Sequence, residues 1–132
     1  MMRLFTVLIL FFITISCKKN NQTSIVPGDY AGTFTRISGT KDSSDAIRMN
    51  FSGDRFSGTG DIPGFPGICE GSFRIDGDSI GFGNDCMVPE DYKNSTILYG
   101  EYRQNIHGDS VIFSRTIGDF VYEADFYRLK KQ

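Results

Sequence analysis

The dipeptide Gly-Asp recurs along this chain, and its spacing constrains the fold more than any other feature. It stands at Gly53-Asp54, Gly77-Asp78, Gly108-Asp109 and Gly118-Asp119, each time between alternating apolar residues. Glycine takes positive φ without steric cost, so it suits the first central position of a two-residue type II′ hairpin turn. Taking each dipeptide as a hairpin centre aligns the strands outward. Around Gly53-Asp54, Phe51 faces Phe56, Met49 faces Gly58 and Ile47 faces Gly60. Around Gly77-Asp78, Ile75 faces Ile80, Phe73 faces Phe82, Gly71 faces Asn84 and Cys69 faces Cys86. Around Gly108-Asp109, Ile106 faces Val111, Gln104 faces Phe113 and Tyr102 faces Arg115. Around Gly118-Asp119, Tyr122 faces Arg115, Ala124 faces Phe113 and Phe126 faces Val111. A further copy, Gly28-Asp29 after Pro27, marks the start of the domain.

One face of each pair is apolar and the other polar, the pattern of a half-buried antiparallel sheet. The predicted strands are 29–37, 45–52, 55–61, 68–76, 79–86, 96–107, 110–117 and 120–129, and no segment has a helical period. An eight-stranded antiparallel meander closes naturally into a barrel, which removes edge strands. An open two-sheet sandwich is the alternative. The fold class expected is therefore all-β, with Phe51, Phe56, Phe73, Phe82, Phe113, Tyr122 and Phe126 inside. Gly58, Gly60, Gly71 and Gly100 also face inward, where they either let aromatic rings interdigitate or leave a cavity.

The same register places Cys69 opposite Cys86 at a non-hydrogen-bonded pair, where Cα atoms approach to about 4.5 Å. A disulfide can span that distance. The expectation is a Cys69–Cys86 bond, with two buried free thiols as the alternative.

At the N-terminus, Arg3 precedes an apolar run from Leu4 to Ile15, then Ser16 and Cys17. The run fits a signal-peptide core and is shorter than the roughly 20 residues of a spanning helix. A small residue before Cys is similar to the lipobox of bacterial lipoproteins; an ordinary secretory signal is the other reading. On the lipoprotein reading, residues 1–16 are the signal peptide and Cys17 is acylated, including a thiol-linked palmitate-type chain. Residues 17–27 then form a flexible tether, and 28–132 the barrel domain. Several acyl chains anchor stably. Asp is absent after Cys17, which favours the outer membrane, with its periplasmic or surface face open.

Three further segments carry a family resemblance. They are Pro66-Gly67-Ile68-Cys69-Glu70-Gly71-Ser72-Phe73, Ile97-Leu98-Tyr99-Gly100-Glu101-Tyr102 and Phe126-Tyr127-Arg128-Leu129-Lys130-Lys131. With the lipobox, they resemble the small lipocalin-like lipoproteins of Bacteroidetes, a calycin-type group. The resemblance implies a barrel that holds small apolar ligands, and a last-strand arginine, Arg128, packed over the first strand. The register of the Gly118-Asp119 hairpin turns Arg128 inward.

Lys and Arg number 14 against 16 Asp and Glu, a net charge of −2. That balance argues against nucleic acid as partner. One His, with no zinc spacing, calcium loop or nucleophile elbow, gives no catalytic centre, no metal and no cofactor. A monomer is expected. Inside the barrel, Tyr102, Gln104, Arg115 and Tyr122 form a polar cluster; Arg115 meets either a ligand carboxylate or water and a Tyr ring. The connections 38–44, 62–67 and 87–95 are read as long and the other end as tight, so Phe65, Met87 and Tyr92 rim a mouth. Two functions follow: an envelope protein holding a small apolar or amphipathic ligand, or a solid barrel binding a protein or glycan through its outer face or loops.

Overall fold

The structure, a computed structural model, describes residues 23–87, 96–118 and 122–132. Residues 1–22, including Cys17 and the segment read as a signal peptide, and Tyr92 lie outside the described residues. Eight antiparallel strands close into a barrel in chain order: β1 (Gly28–Ser38), β2 (Lys41–Ser52), β3 (Arg55–Gly60), β4 (Glu70–Asp76), β5 (Ser79–Asn84), β6 (Gly100–His107), β7 (Ser110–Ile117) and β8 (Glu123–Lys131). The seam that closes it pairs β1 with β8 over Tyr30↔Lys131 to Ser38↔Glu123.

Three Gly-Asp turns set the register as the sequence predicts. Phe51 pairs with Phe56, Phe73 with Phe82, and Gln104 with Phe113. Gly53, Gly77 and Gly108 have φ of 61, 58 and 57°, and no described non-glycine residue has positive φ. A positive first and a negative second φ is the type II′ combination, whose twist matches that of the flanking strands. These three turns form one end of the barrel, here the turn pole.

The fourth turn differs. Ile117 pairs with Glu123, so the β7–β8 connection is 118–122 rather than two residues. Arg115 faces Asp125, Phe113 faces Tyr127 and Val111 faces Leu129. The register is shifted by three from that expected, and an odd shift turns every β8 side chain to the other face. Tyr127 and Leu129 are therefore inside, Arg128 and Phe126 line the outer wall, and Tyr122 is 58% exposed. In the sequence the apolar Phe120-Val121-Tyr122 run reads as a strand start, while the charge of Asp125 disguises an inward position.

The β1–β2 connection also departs from the expected long loop. Ser38 pairs with Lys41 around a tight Gly39-Thr40 turn, with Gly39 at φ 61°. The opposite end of the barrel, the loop pole, thus carries this turn together with connections 61–69, 85–99 and 118–122.

Aromatic rings fill the interior from pole to pole. Tyr30 meets Phe51 at 5.4 Å between centroids, Phe51 meets Phe73 at 5.3 Å, and Phe82 meets Phe56 at 5.2 Å. Phe82 also contacts Phe113 at 4.8 Å, and Phe113 stacks on Tyr127 at 4.5 Å. Tyr127 contacts Phe34 at 4.8 Å, and Phe34 is met by Phe65 at 5.0 Å. Such pairs add about 0.5–1.5 kcal/mol each to the burial of their area. Gly71 makes room for this packing: a Cβ there would overlap the Gly83 carbonyl and lie 3.1 Å from the Phe56 ring. Ile25, in the segment read as tether, belongs to the core cluster, and Tyr30 Oη donates to Val26 O at 2.7 Å.

The disulfide forms between Cys69 and Cys86. It sits just beyond the β4–β5 ladder, which ends at Gly71↔Asn84, with one further backbone bond from Asp85 N to Glu70 O at 3.0 Å. The strands diverge there, so the Cα atoms are 6.3 Å apart instead of the close non-bonded spacing expected. The bond ties the 61–69 and 85–99 connections together at the loop pole.

Candidate functional site

The loop pole is closed by charge. Arg36, near the end of β1, donates from Nε to Asp125 Oδ1 at 2.7 Å and from Nη2 to Oδ2 at 2.8 Å. Its Nη1 lies 3.4 Å from Glu123 Oε1. The Arg36 guanidinium is held above its ordinary value by the Asp125 hydrogen bond, against the opposing effect of burial. Arg115 approaches the same carboxylate from β7, with Nε 3.4 Å from Asp125 Oδ2. Its Nη1 donates to Tyr99 O at 2.8 Å and its Nη2 to Ile97 O at 3.4 Å. One carboxylate between two guanidinium groups, all hydrogen-bonded, is the condition under which burying charge is tolerated.

Of the four predicted interior residues, the structure brings three to the inward face. Arg115 lies over the Tyr102 ring, 4.6 Å from its centroid, as the cation–π alternative requires. Gln104 is buried nearer the turn pole, and its Nε2 donates to Gly77 O at 2.7 Å. Tyr122 is not part of the cluster. Its place is taken by Arg36, Asp125 and Tyr127, which the sequence register missed. The pairing of Asp125 with Arg115 was hidden by the three-residue shift; the signal that could have found it is the strand alternation Asp125, Tyr127, Leu129.

Below this ion cluster, Tyr102 and Tyr127 are 2% and 0% exposed. Neither hydroxyl reaches hydrogen-bond geometry with a partner, although each tyrosine influences the ionisation of the other. Desolvation pushes Tyr102 up to about 12 and raises Tyr127 well above the ordinary phenol value. Both stay neutral at physiological pH.

The rim residues behave differently from one another. Phe65 packs down on Phe34, and Asp45 accepts from Ile62 N at 2.9 Å, so the 61–69 connection is folded onto the barrel end. Met87 is 98% exposed. Among the described residues no group of three or more His, Cys, Asp or Glu is placed to hold a metal.

Three clefts lined by described residues open on the outside of the barrel. One of about 740 Å³ runs along β4, β5 and β6 over Ser72, Arg74, Gly81, Gly83, Tyr99 and Glu101. A second, of about 500 Å³, covers outer positions of β1, β2 and β3 such as Ala31, Arg48 and Thr59. A third, of about 510 Å³, lies over β6, β7 and β8. No family model matches the chain, and no curated protein or solved structure does.

Proposed function

We propose that the protein is a lipid-anchored, non-enzymatic binding module of the bacterial cell envelope that meets its partner on the outside of a solid barrel. The observation that carries this reading is the run of neighbouring rings from Tyr30 through Phe51, Phe73, Phe82, Phe113, Tyr127 and Phe34 to Phe65, capped by the Arg36–Asp125–Arg115 cluster. A ligand inside the barrel would have to displace rings that contact one another and open a charged seal, whereas the outside offers clefts without rearrangement. The lipobox-like segment ending in Cys17 and the resemblance to lipocalin-like lipoproteins of Bacteroidetes support anchoring in an envelope membrane, with the outer membrane favoured.

The test is native mass spectrometry of the protein purified from its own host, combined with crosslinking in cells. The expected result is the acylated chain with no bound apolar mass, together with a reproducible crosslinked partner. An apolar molecule retained at constant stoichiometry through detergent exchange would overturn the reading in favour of a ligand held within the barrel.

A further inference from the structure

Two adjacent cross-strand rows face outward on β6, β7 and β8. One runs Arg103, Ser114, Phe126; the next runs Asn105, Ile112, Arg128. They line the cleft of about 510 Å³, with Asp78 at its edge. Its middle is apolar, formed by half-buried Ile112 and Phe126. Arg128 lies over Phe126, its guanidinium carbon 5.0 Å from the ring centroid. Asn105 keeps a buried Oδ1 without a hydrogen-bond partner.

The two arginines differ from the others described. Arg36, Arg48, Arg55, Arg74 and Arg115 each hold a carboxylate. Among the described residues, Arg103 and Arg128 are in no ion pair, and Asp78 pairs with neither. Glu101, an outward carboxylate on β6, pairs with Arg74 on β4 at 3.5 Å. Lys130 occupies the next row beside Ser110, adding positive charge on the turn-pole side. In a chain of net charge −2, this wall is locally cationic.

We propose that this cleft binds a small organic phosphate, its anionic group held between Arg103 and Arg128 and its apolar body laid over Ile112. The proposal rests on the reading that the barrel works through its outer surface, and it names the ligand class. Two strand spacings and one side-chain repeat separate the two Cβ atoms by about 12 Å. Two extended arginine side chains are long enough to meet one phosphate across that span. The guanidinium fork matches phosphate oxygens bidentately, and stacking on Phe126 pre-orients one of the two forks.

The test is titration of the full chain in non-ionic detergent with phenyl phosphate, followed by backbone amide shifts. Saturable shifts at Ser114, Phe126 and Arg128 are expected. The double variant Arg103→Gln/Arg128→Gln should weaken binding by about tenfold or more. Arg48→Gln, on the other wall, should leave it unchanged, and benzyl alcohol should not bind. The proposal is overturned by the lack of saturable shifts up to about 10 mM, by double-variant affinity within about twofold of the parent, or by equal binding of the neutral alcohol. Dihexanoyl phosphatidylglycerol, titrated in parallel, identifies the source. Tighter binding than phenyl phosphate supports a lipid headgroup; weaker binding supports a soluble phosphate ester. Because the shifts report outer-wall residues, their absence is distinguishable from apolar mass found inside the barrel, which bears on the broader reading alone.

Discussion

Arg36 and Asp125, 89 positions apart in the chain, form a two-pronged ion pair across the seam that closes the barrel. The partners sit on its first and last strands, directly opposite one another in the register. Closure is thus marked by a buried charge pair as well as by backbone hydrogen bonds. Because Arg115 shares the same carboxylate, Asp125 links the strands on both sides of the last strand, and Glu123 beside Arg36 supplies the second negative charge.

Removing that carboxylate should be severe. Asp125→Asn leaves two guanidinium groups facing an amide that cannot balance their charge, and a loss of about 3–5 kcal/mol is expected. Urea denaturation at neutral pH measures it. A loss below about 1 kcal/mol would place the pair among weakly contributing surface bridges.

The Cys69–Cys86 bond closes a loop of sequence separation 17, for which chain entropy predicts roughly 3 kcal/mol of stabilisation. Cys69→Ser/Cys86→Ser should lower the urea midpoint while retaining the β spectrum, because the β4–β5 ladder itself ends before the cysteines. Adding reductant to the parent should reproduce the shift and leave the variant unmoved.

Tyr102 and Tyr127 predict alkaline behaviour. Their folded-state values are raised, Tyr102 to about 12, whereas an unfolded chain ionises them from about 10. Their contribution to stability is therefore complete below about pH 10 and is lost as pH rises from there through about 12. Tyr102→Phe should flatten part of that alkaline decline in unfolding experiments. At neutral pH the same change removes a hydroxyl without a partner, so stability should hold or rise by about 1 kcal/mol.

Solid packing makes a further prediction. Phe113 is fully buried between Phe82 and Tyr127, so Phe113→Ala should cost about 3–5 kcal/mol. The vacated space is lined by rings and should take up benzene, which the parent should not bind. Benzene titration with a thermal-shift readout compares the two, and equal uptake by the parent would reveal room already present.

Gly32 tests the closing seam from the backbone side. A Cβ at this position would collide with the Arg128 carbonyl oxygen, which belongs to the paired strand and cannot swing aside. Gly32→Ala should destabilise by about 1–3 kcal/mol through forced strand separation. Gly39→Ala serves as the contrast in a urea series. It meets open space but carries a positive φ of 61°, so its cost is conformational and confined to the turn.

Much of the barrel was legible because hairpins are local. At Gly53, Gly77 and Gly108 a two-residue turn fixes the pairing of everything around it, and Phe51/Phe56 or Phe73/Phe82 followed directly. Gly118-Asp119 looked alike, yet the chain takes five residues to turn there. The alternation Asp125, Tyr127, Leu129 is the one local sign of the true register, and a carboxylate at its inward position argues against it until Arg36, from the other end of the sequence, is seen opposite. Gly39-Thr40 was missed for the opposite reason, since the polar run Lys41–Ser44 hides a strand that is exposed on both faces. Of the candidate interior cluster, Tyr102, Gln104 and Arg115 came from a correctly placed hairpin. Tyr122 came from the misplaced one.

Gln132 N donates to Asp29 O at 2.9 Å, and Lys131 N to Asp109 O at 2.8 Å, so β8 finishes beside the start of β1. A leash on the leading segment and a tag fused at the trailing one would therefore grip the molecule by the same foot. Immobilised either way, the barrel would stand with its cystine-stapled crown away from the support and its flanks open on all sides. Pull-downs through the carboxyl end should thus sample the geometry that an amino-terminal anchor imposes.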